Sequence, residues 1–163
     1  MESLLSLWPV ALFAALAALF LRLLRPPPAP QPPPYERRGS LLTPAEQQFY
    51  HALAAAVGDR FTICPMVRVA DVLQVKNEAQ DRGAWQNRIN SKHVDFVLCD
   101  PQSLSPRVCI ELDDASHQHP ERQARDAFLN ESFAAAGLPL LRVPTAKVYD
   151  ARQLNDSISQ AVG

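Results

Sequence analysis

The stretch His93–Cys99 reads HVDFVLC and Arg107–Leu112 reads RVCIEL, with the turn-rich DPQSLSP between them. Each run is apolar on both faces apart from a single acid, the pattern of a strand covered on two sides. The acids are therefore the informative positions, because an unpaired ionised carboxylate inside a sheet costs several kcal/mol. Something must compensate Asp95 and Glu111. Side chains alternate along a strand, which puts Glu111 and Asp113 on one face and Ile110 and Leu112 on the other. If the two strands pair, Asp95 joins the group. Three converging carboxylates repel one another unless protons or a hard cation intervene, and Mg²⁺ held by carboxylates plus waters is the natural solution. Such an ion would activate water and stabilise charge developing on a phosphodiester. In the competing reading, Asp113 and Asp114 only organise the turn after the strand.

The flanking sequence supplies the other elements. Thr43, Pro44 and Glu46 mark a helix start: a hydroxyl N-cap, proline at the first helical position, and a glutamate three residues after the cap. Phe49, Ala52, Leu53, Ala56 and Val57 make its apolar face, and Gly58 closes it. Phe61–Val69 predicts a strand interrupted at Pro65, hence an edge or a bulge. Asp71–Ser91 is polar and mixed and predicts a short helix plus an irregular loop. Pro120–Ala136 predicts a helix with Leu129, Phe133 and Ala136 on one stripe, stopped by Gly137. Leu138–Val143 predicts a further strand, and Leu154, Ile158, Ala161 and Val162 mark a last helix. The order α-β-(α)-β-β-α-β-α predicts an α/β domain, a mixed sheet flanked by helices.

The amino-terminal part has a different character. The chain has 15 prolines against 5 glycines, and seven of the prolines fall within Pro26–Pro34. Leu4–Leu24 supplies roughly 20 largely apolar residues, enough to cross about 30 Å of hydrocarbon as a helix. A single-pass transmembrane anchor is favoured over a cleaved signal peptide, since Glu2 replaces a basic start and RLLRPPP offers no small-x-small cleavage site. Arg22 and Arg25 lie on the carboxy-terminal flank, so the domain is expected to face the cytoplasm. PPPAPQPPP then forms an extended, semi-rigid spacer. The layout expected is an anchor over residues 1–25, a proline-rich linker over 26–40 and one domain over 41–163.

Charge and cysteine narrow the classes. From Ser40 onward there are 12 Lys and Arg against 15 Asp and Glu, so the domain carries −3 while the whole chain carries −1. It is not a strongly basic nucleic-acid module, and any nucleic-acid contact must come from a local patch. Cys64, Cys99 and Cys109 are odd in number with no CxxC pair, which argues against a disulfide scaffold or a four-cysteine zinc site. Cys99 and Cys109 lie in apolar strands and read as buried reduced thiols.

Glu46 on its helix, Asp95, and the E-x-D of Glu111–Asp113 together resemble the PD-(D/E)XK nuclease superfamily. HVDFVLCD, IELDDASH and AGLPLLRV look like the bacterial domain-of-unknown-function family 2726. They are also similar to the very-short-patch-repair type of endonuclease, with its related E-L-D-G-x-x-H stretch. The resemblance covers about Leu42–Val143 and implies a restriction-endonuclease-like core of order αβββαβ. It implies Asp95 and Glu111 as ligands of Mg²⁺ or Mn²⁺, with Asp113 standing where the general pattern has a lysine. Asp113 is then a third ligand, or the chemistry has shifted or been lost. His117 is placed to take over proton transfer, and Arg125 on the following helix to contact phosphate. Each has a plainer reading: Glu46 as capping box, His117 and His119 as loop surface, Arg125 and Asp126 as a solvated helix face, Arg142 as a structural bridge to a buried acid. The expectation is a nuclease-like domain at the bacterial inner membrane that hydrolyses nucleic-acid phosphodiesters. The alternative is an inactive module of the same fold that binds or scaffolds at the membrane.

Overall fold

The computed structural model describes residues 8–24, 31–113 and 120–163. They divide into two units between Arg38 and Gly39. In the first, helix α1 runs Trp8–Leu23, 16 residues. At 1.5 Å per residue this is about 24 Å, short of the roughly 30 Å of a hydrocarbon core. Among the described residues no helix is long and apolar enough to cross a membrane. The first residues of the expected span Leu4–Leu24, numbers 4–7, lie outside the described part. Leu12, Phe13, Leu16, Leu19, Phe20 and Leu21 on α1 are all exposed. Residues 31–38 form neither helix nor strand.

The second unit runs α2 (Pro44–Val57), a 3₁₀ turn (Gly58–Arg60), β1 (Thr62–Arg68), α3 (Val69–Val72), α4 (Arg82–Asn90), β2 (His93–Cys99), β3 (Pro106–Asp113), α5 (Pro120–Ala136), β4 (Leu140–Pro144) and α6 (Ala151–Val162). The four strands form one mixed sheet in the order β1-β2-β3-β4. β1–β2 and β2–β3 are antiparallel, and β3–β4 is parallel across the α5 connection. The α/β sandwich expected from the sequence is the one found. Asp71–Ser91 differs, because the chain makes two short helices on either side of a turn rather than one.

Local signals explain most boundaries. The α2 capping box forms as its sequence predicts: the Thr43 amide donates to Glu46 Oε2 at 2.7 Å and the Glu46 amide to Thr43 Oγ1 at 3.3 Å. Asp150 caps α6 by accepting from the amides of Arg152 and Gln153. Gly137 takes φ +67°, where a Cβ is strained, and the Leu138 amide bonds back to the Phe133 carbonyl, ending α5. β1 lies at the sheet edge and runs through Pro65 without stopping. Its irregularity falls one residue later, at Met66, with φ +54°.

Two apolar clusters lie on the two sides of the sheet. α2 and α6 bury Phe49, Leu53, Val57, Leu154 and Ile158 against Phe96, Leu98, Val108, Ile110 and Val143. The Phe49 and Phe96 rings are both fully buried, with centroids 5.3 Å apart. Burying such a side chain contributes about 1.5–3 kcal/mol. On the other side α5 brings Phe128, Leu129 and Phe133 onto Val94, Val97, Cys99 and Cys109, joined by Val69, Leu73 and Ile89. The three cysteines are free thiols. Burial pushes Cys99 up to about 11 and Cys109 up to about 12, so both stay protonated and behave as small core residues.

Candidate functional site

The site grows from the point where the central ladder stops. β2 and β3 pair as far as Phe96↔Ile110, so the paired ladder ends just before Asp95 on one strand and Glu111 on the other. There the Asp95 side chain takes over from the backbone: Asp95 Oδ2 accepts from the Leu112 amide at 2.7 Å. On the other flank of β2, the β1 register steps from Pro65↔Phe96 to Val67↔Val94, and the residue between is the left-handed Met66. Non-glycine residues at positive φ cost on the order of 1–3 kcal/mol and persist only where the surroundings over-determine them. Asp95 therefore sits where regular pairing lapses on both sides. A cleft of about 450 Å³ opens at this point, lined by Met66, Ser91, Lys92, His93, Asp95 and Arg125.

Glu111 is only 6% exposed, the one charged residue among the described buried positions. Its Oε2 lies 3.7 Å from Arg125 Nη2, an ion pair too long for a hydrogen bond, and its Oε1 has no hydrogen-bond partner. Burial, and next the Asp95 charge, push the Glu111 carboxyl up to about 7, against the opposing pull of Arg125 and Arg142. Asp95 is also raised, chiefly by burial, while the Leu112 amide works the other way. The charges of Glu46 and Asp113 add to the rise. Two neighbouring carboxyls in a partly dry site thus both hold protons more tightly than in water.

Arg142 stands beside them, because the parallel β3–β4 register places it opposite Glu111. Its guanidinium binds Asp113 Oδ1 at 2.9 Å through Nη1 and Asp126 Oδ1 at 3.2 Å through Nη2. Nε reaches Asn130 Oδ1 at 3.4 Å. Arg142 thus bridges two part-exposed acids, where the structural reading had it pair with one buried acid. Asp126, for which a solvated helix face is one of two readings, turns toward the sheet to meet Arg142. The i, i+4 spacing of Asp126 and Asn130 on α5 is the sequence signal for this shared face.

Of the residues singled out from the sequence, Asp95 and Glu111 come together and Asp113 is drawn to Arg142. Glu46 is tied into its cap yet close enough for its charge to bear on Asp95. Arg125 reaches the site from α5. Asp114, His117 and His119 lie outside the described residues. Among the described residues no group of three or more His, Cys, Asp and Glu is placed to hold a metal ion. Among the described residues Asp95 and Glu111 are the acids brought together, and the partnerless Glu111 Oε1 is the atom that fits a cation; Mg²⁺ is commonly held by one or two carboxylates with waters completing its shell.

Missed from the sequence was a cation–aromatic stack on α4. Arg88 lies 4.0 Å from the Phe128 ring centroid and 4.7 Å from that of Trp85, and Lys92 Nζ is 5.0 Å from Phe128. The only sequence signal was a Trp three residues before an Arg in a polar stretch.

Comparison with protein families matches residues 38–162 to a family described as protein of unknown function (DUF2726). No curated protein and no solved structure matches the chain.

Proposed function

We propose that this chain, which belongs to the DUF2726 family, hydrolyses nucleic-acid phosphodiesters with Mg²⁺ or Mn²⁺ held by Asp95 and Glu111. The observation that carries the reading is Glu111: a carboxyl 6% exposed, one oxygen without a partner, with the charge of a second acid, Asp95, bearing on it where the β2–β3 ladder ends. A structural role alone would leave that oxygen bonded. Bound there, a divalent cation would supply an acidified water and neutralise charge developing on the phosphodiester.

The chain's own residues have distinct tasks in this reading. Asp95 is oriented by the Leu112 amide, and Glu111 by the flanking β3–β4 register. Arg125, with its side chain 47% exposed at the cleft, contacts a substrate phosphate. Asp113 stands where the nuclease pattern has a lysine, and Arg142 from β4 restores positive charge beside it. His117 handles the proton. With the short α3 and α4 taken as an insertion between β1 and β2, the element order α2-β1-β2-β3-α5-β4 supports a restriction-endonuclease-like fold within the PD-(D/E)XK superfamily. The exposed apolar side chains of α1, followed by the proline-rich linker, support an anchor at the bacterial inner membrane with the domain toward the cytoplasm.

The test is direct. Full-length protein is incubated with linear, nicked and single-stranded DNA and with RNA, with Mg²⁺ or Mn²⁺ and with EDTA. Metal-dependent cleavage abolished by Glu111→Gln and Asp95→Asn is expected. No cleavage in any arm, with no metal binding by calorimetry, overturns it. One observation favours the second reading, an inactive module of the same fold: the clamp of Arg142 on Asp113 and Asp126 removes Asp113 from the cation's ligands. Calorimetric metal binding that survives Asp95→Asn, or a gain in stability from Asp95→Asn without any metal binding, selects that module.

A further inference from the structure

The acidic balance of the domain hides a local reversal. Arg82–His93 contains Arg82, Arg88, Lys92 and His93 and no acid. Most of this run is α4, whose Trp85 is 45% exposed. The Arg88 guanidinium lies over both Trp85 and Phe128, so three planar groups are held in contact and Trp85 stands at the outer end of the stack. A hollow of about 430 Å³ opens beside it, lined by Leu73, Val75, Trp85, Ile89 and Phe128 among others. Lys92 ties this region to the acidic site, because it lies over Phe128, donates to the Arg88 carbonyl at 2.8 Å, and also lines the cleft of Asp95 and Arg125.

We infer that α4 and Lys92 form a binding track for single-stranded nucleic acid, in which an unpaired base stacks on Trp85 and the adjoining phosphates run along Lys92 and Arg125 toward Asp95. The inference rests on the hydrolytic reading of Asp95 and Glu111 for the direction of the track. A cationic groove with an exposed aromatic platform is what sequence-tolerant single-strand binding needs, since every base has a face to stack and every phosphate a charge to pair. A duplex keeps its base faces covered and carries a denser charge, which a domain of net −3 tolerates poorly. Arg82, Arg88, Lys92 and His93 follow one another here without an intervening acid, although Glu131 lines the hollow on its α5 side, so the run favours an anionic partner and the exposed indole one that is also planar.

The test uses the full chain in detergent micelles with Trp8→Phe, which leaves Trp85 as the remaining one of two tryptophans. An oligo(dT) dodecamer is titrated in EDTA, so that no metal-dependent cleavage contributes. Quenching of Trp85 is expected, with affinity that falls as salt rises. Trp85→Ala, read by anisotropy of a labelled oligonucleotide, should weaken binding by about tenfold or more. Trp85→Phe should retain most of the affinity, and Lys92→Ala should flatten the log–log salt slope by about 0.7. Equal affinity for a duplex of the same length, unchanged binding by Trp85→Ala, or quenching by phosphatidylglycerol vesicles but not by oligonucleotide would each overturn the inference. Failure of the hydrolytic reading looks different: Trp85-dependent binding with no cleavage under any metal. Cleavage with Trp85-independent binding overturns the track alone.

Discussion

Two neighbouring residues of β3, Ile110 and Glu111, face opposite sides of one sheet and meet opposite fates. Ile110 is fully buried in the apolar cluster under α2 and α6, with Phe49, Leu53, Phe96 and Ile158 among its members. Glu111 is almost as deeply buried on the α5 side, among Asp95, Arg125 and Arg142. Both sides are packed, but one is closed by the hydrophobic effect and the other is left electrostatically incomplete. The lesson is that depth of burial does not separate core from site here. What separates them is whether each polar atom has been given a partner.

The widest way to break the comparison is to cut the apolar side. Phe96→Ala removes a fully buried ring that packs on Phe49, and it should destabilise the domain by about 3–5 kcal/mol. Urea unfolding followed by circular dichroism measures it. A loss below about 1 kcal/mol would mean that the α2–α6 side does not hold the fold.

The opposite sign is expected across the sheet. Glu111 is raised from 4.5 to about 7 in the folded chain, so between those values the unfolded chain ionises while the folded one keeps its proton. Stability contributed by the protonated form is complete below about 4.5 and is lost as pH rises through 7. At about 1.4 kcal/mol per unit, the wild type forfeits on the order of 3 kcal/mol over that window. Glu111→Gln should abolish this pH dependence and be the more stable protein at pH 8, with little difference at pH 4. Adding Mg²⁺ at pH 8 should raise the unfolding midpoint of the wild type and leave Glu111→Gln unmoved. A variant less stable than wild type at pH 8 without metal would show that Glu111 is a satisfied structural group.

Arg142 sharpens the same contrast at smaller scale. Arg142→Ala strips Asp113 and Asp126 of a shared guanidinium on side chains that are 27% and 28% exposed, and should cost about 2 kcal/mol. Arg142→Lys should recover only part of this, since a point charge cannot engage both carboxylates as the planar fork does. Full recovery by lysine would reduce the bridge to simple charge balance.

These features were unevenly legible in the sequence. The acids of HVDFVLC and RVCIEL announced themselves because each interrupts an apolar run, and Thr43–Glu46 announced a helix because capping is local. What engages Asp95 and Glu111 was not legible, since it depends on long-range register: Leu112 across the ladder, Arg142 across the parallel pair, Arg125 from a helix that returns over the sheet. Asp126 looked like surface because a polar residue on a helix carries no mark of the side it takes. Asp71–Ser91 has no period to read, so the Trp85–Arg88–Phe128 stack, which joins α4 to α5, emerged only from the fold.

Glu46 offers the finest test, because local and distant roles meet in one carboxylate. Glutamine also serves as the third residue of a capping box, so Glu46→Gln should change stability by less than about 0.5 kcal/mol. Its charge nevertheless reaches Asp95 and raises it, so the substitution should lower the Asp95 carboxyl. If Glu46 acts only as a cap, metal-dependent cleavage should keep its maximal rate while the acid limb of its pH profile moves slightly downward. A collapse of the maximal rate with stability unchanged would instead bring Glu46 to the cation beside Asp95 and Glu111. The apolar side of the sheet, which α2 otherwise serves, would then share its helix with the reacting side.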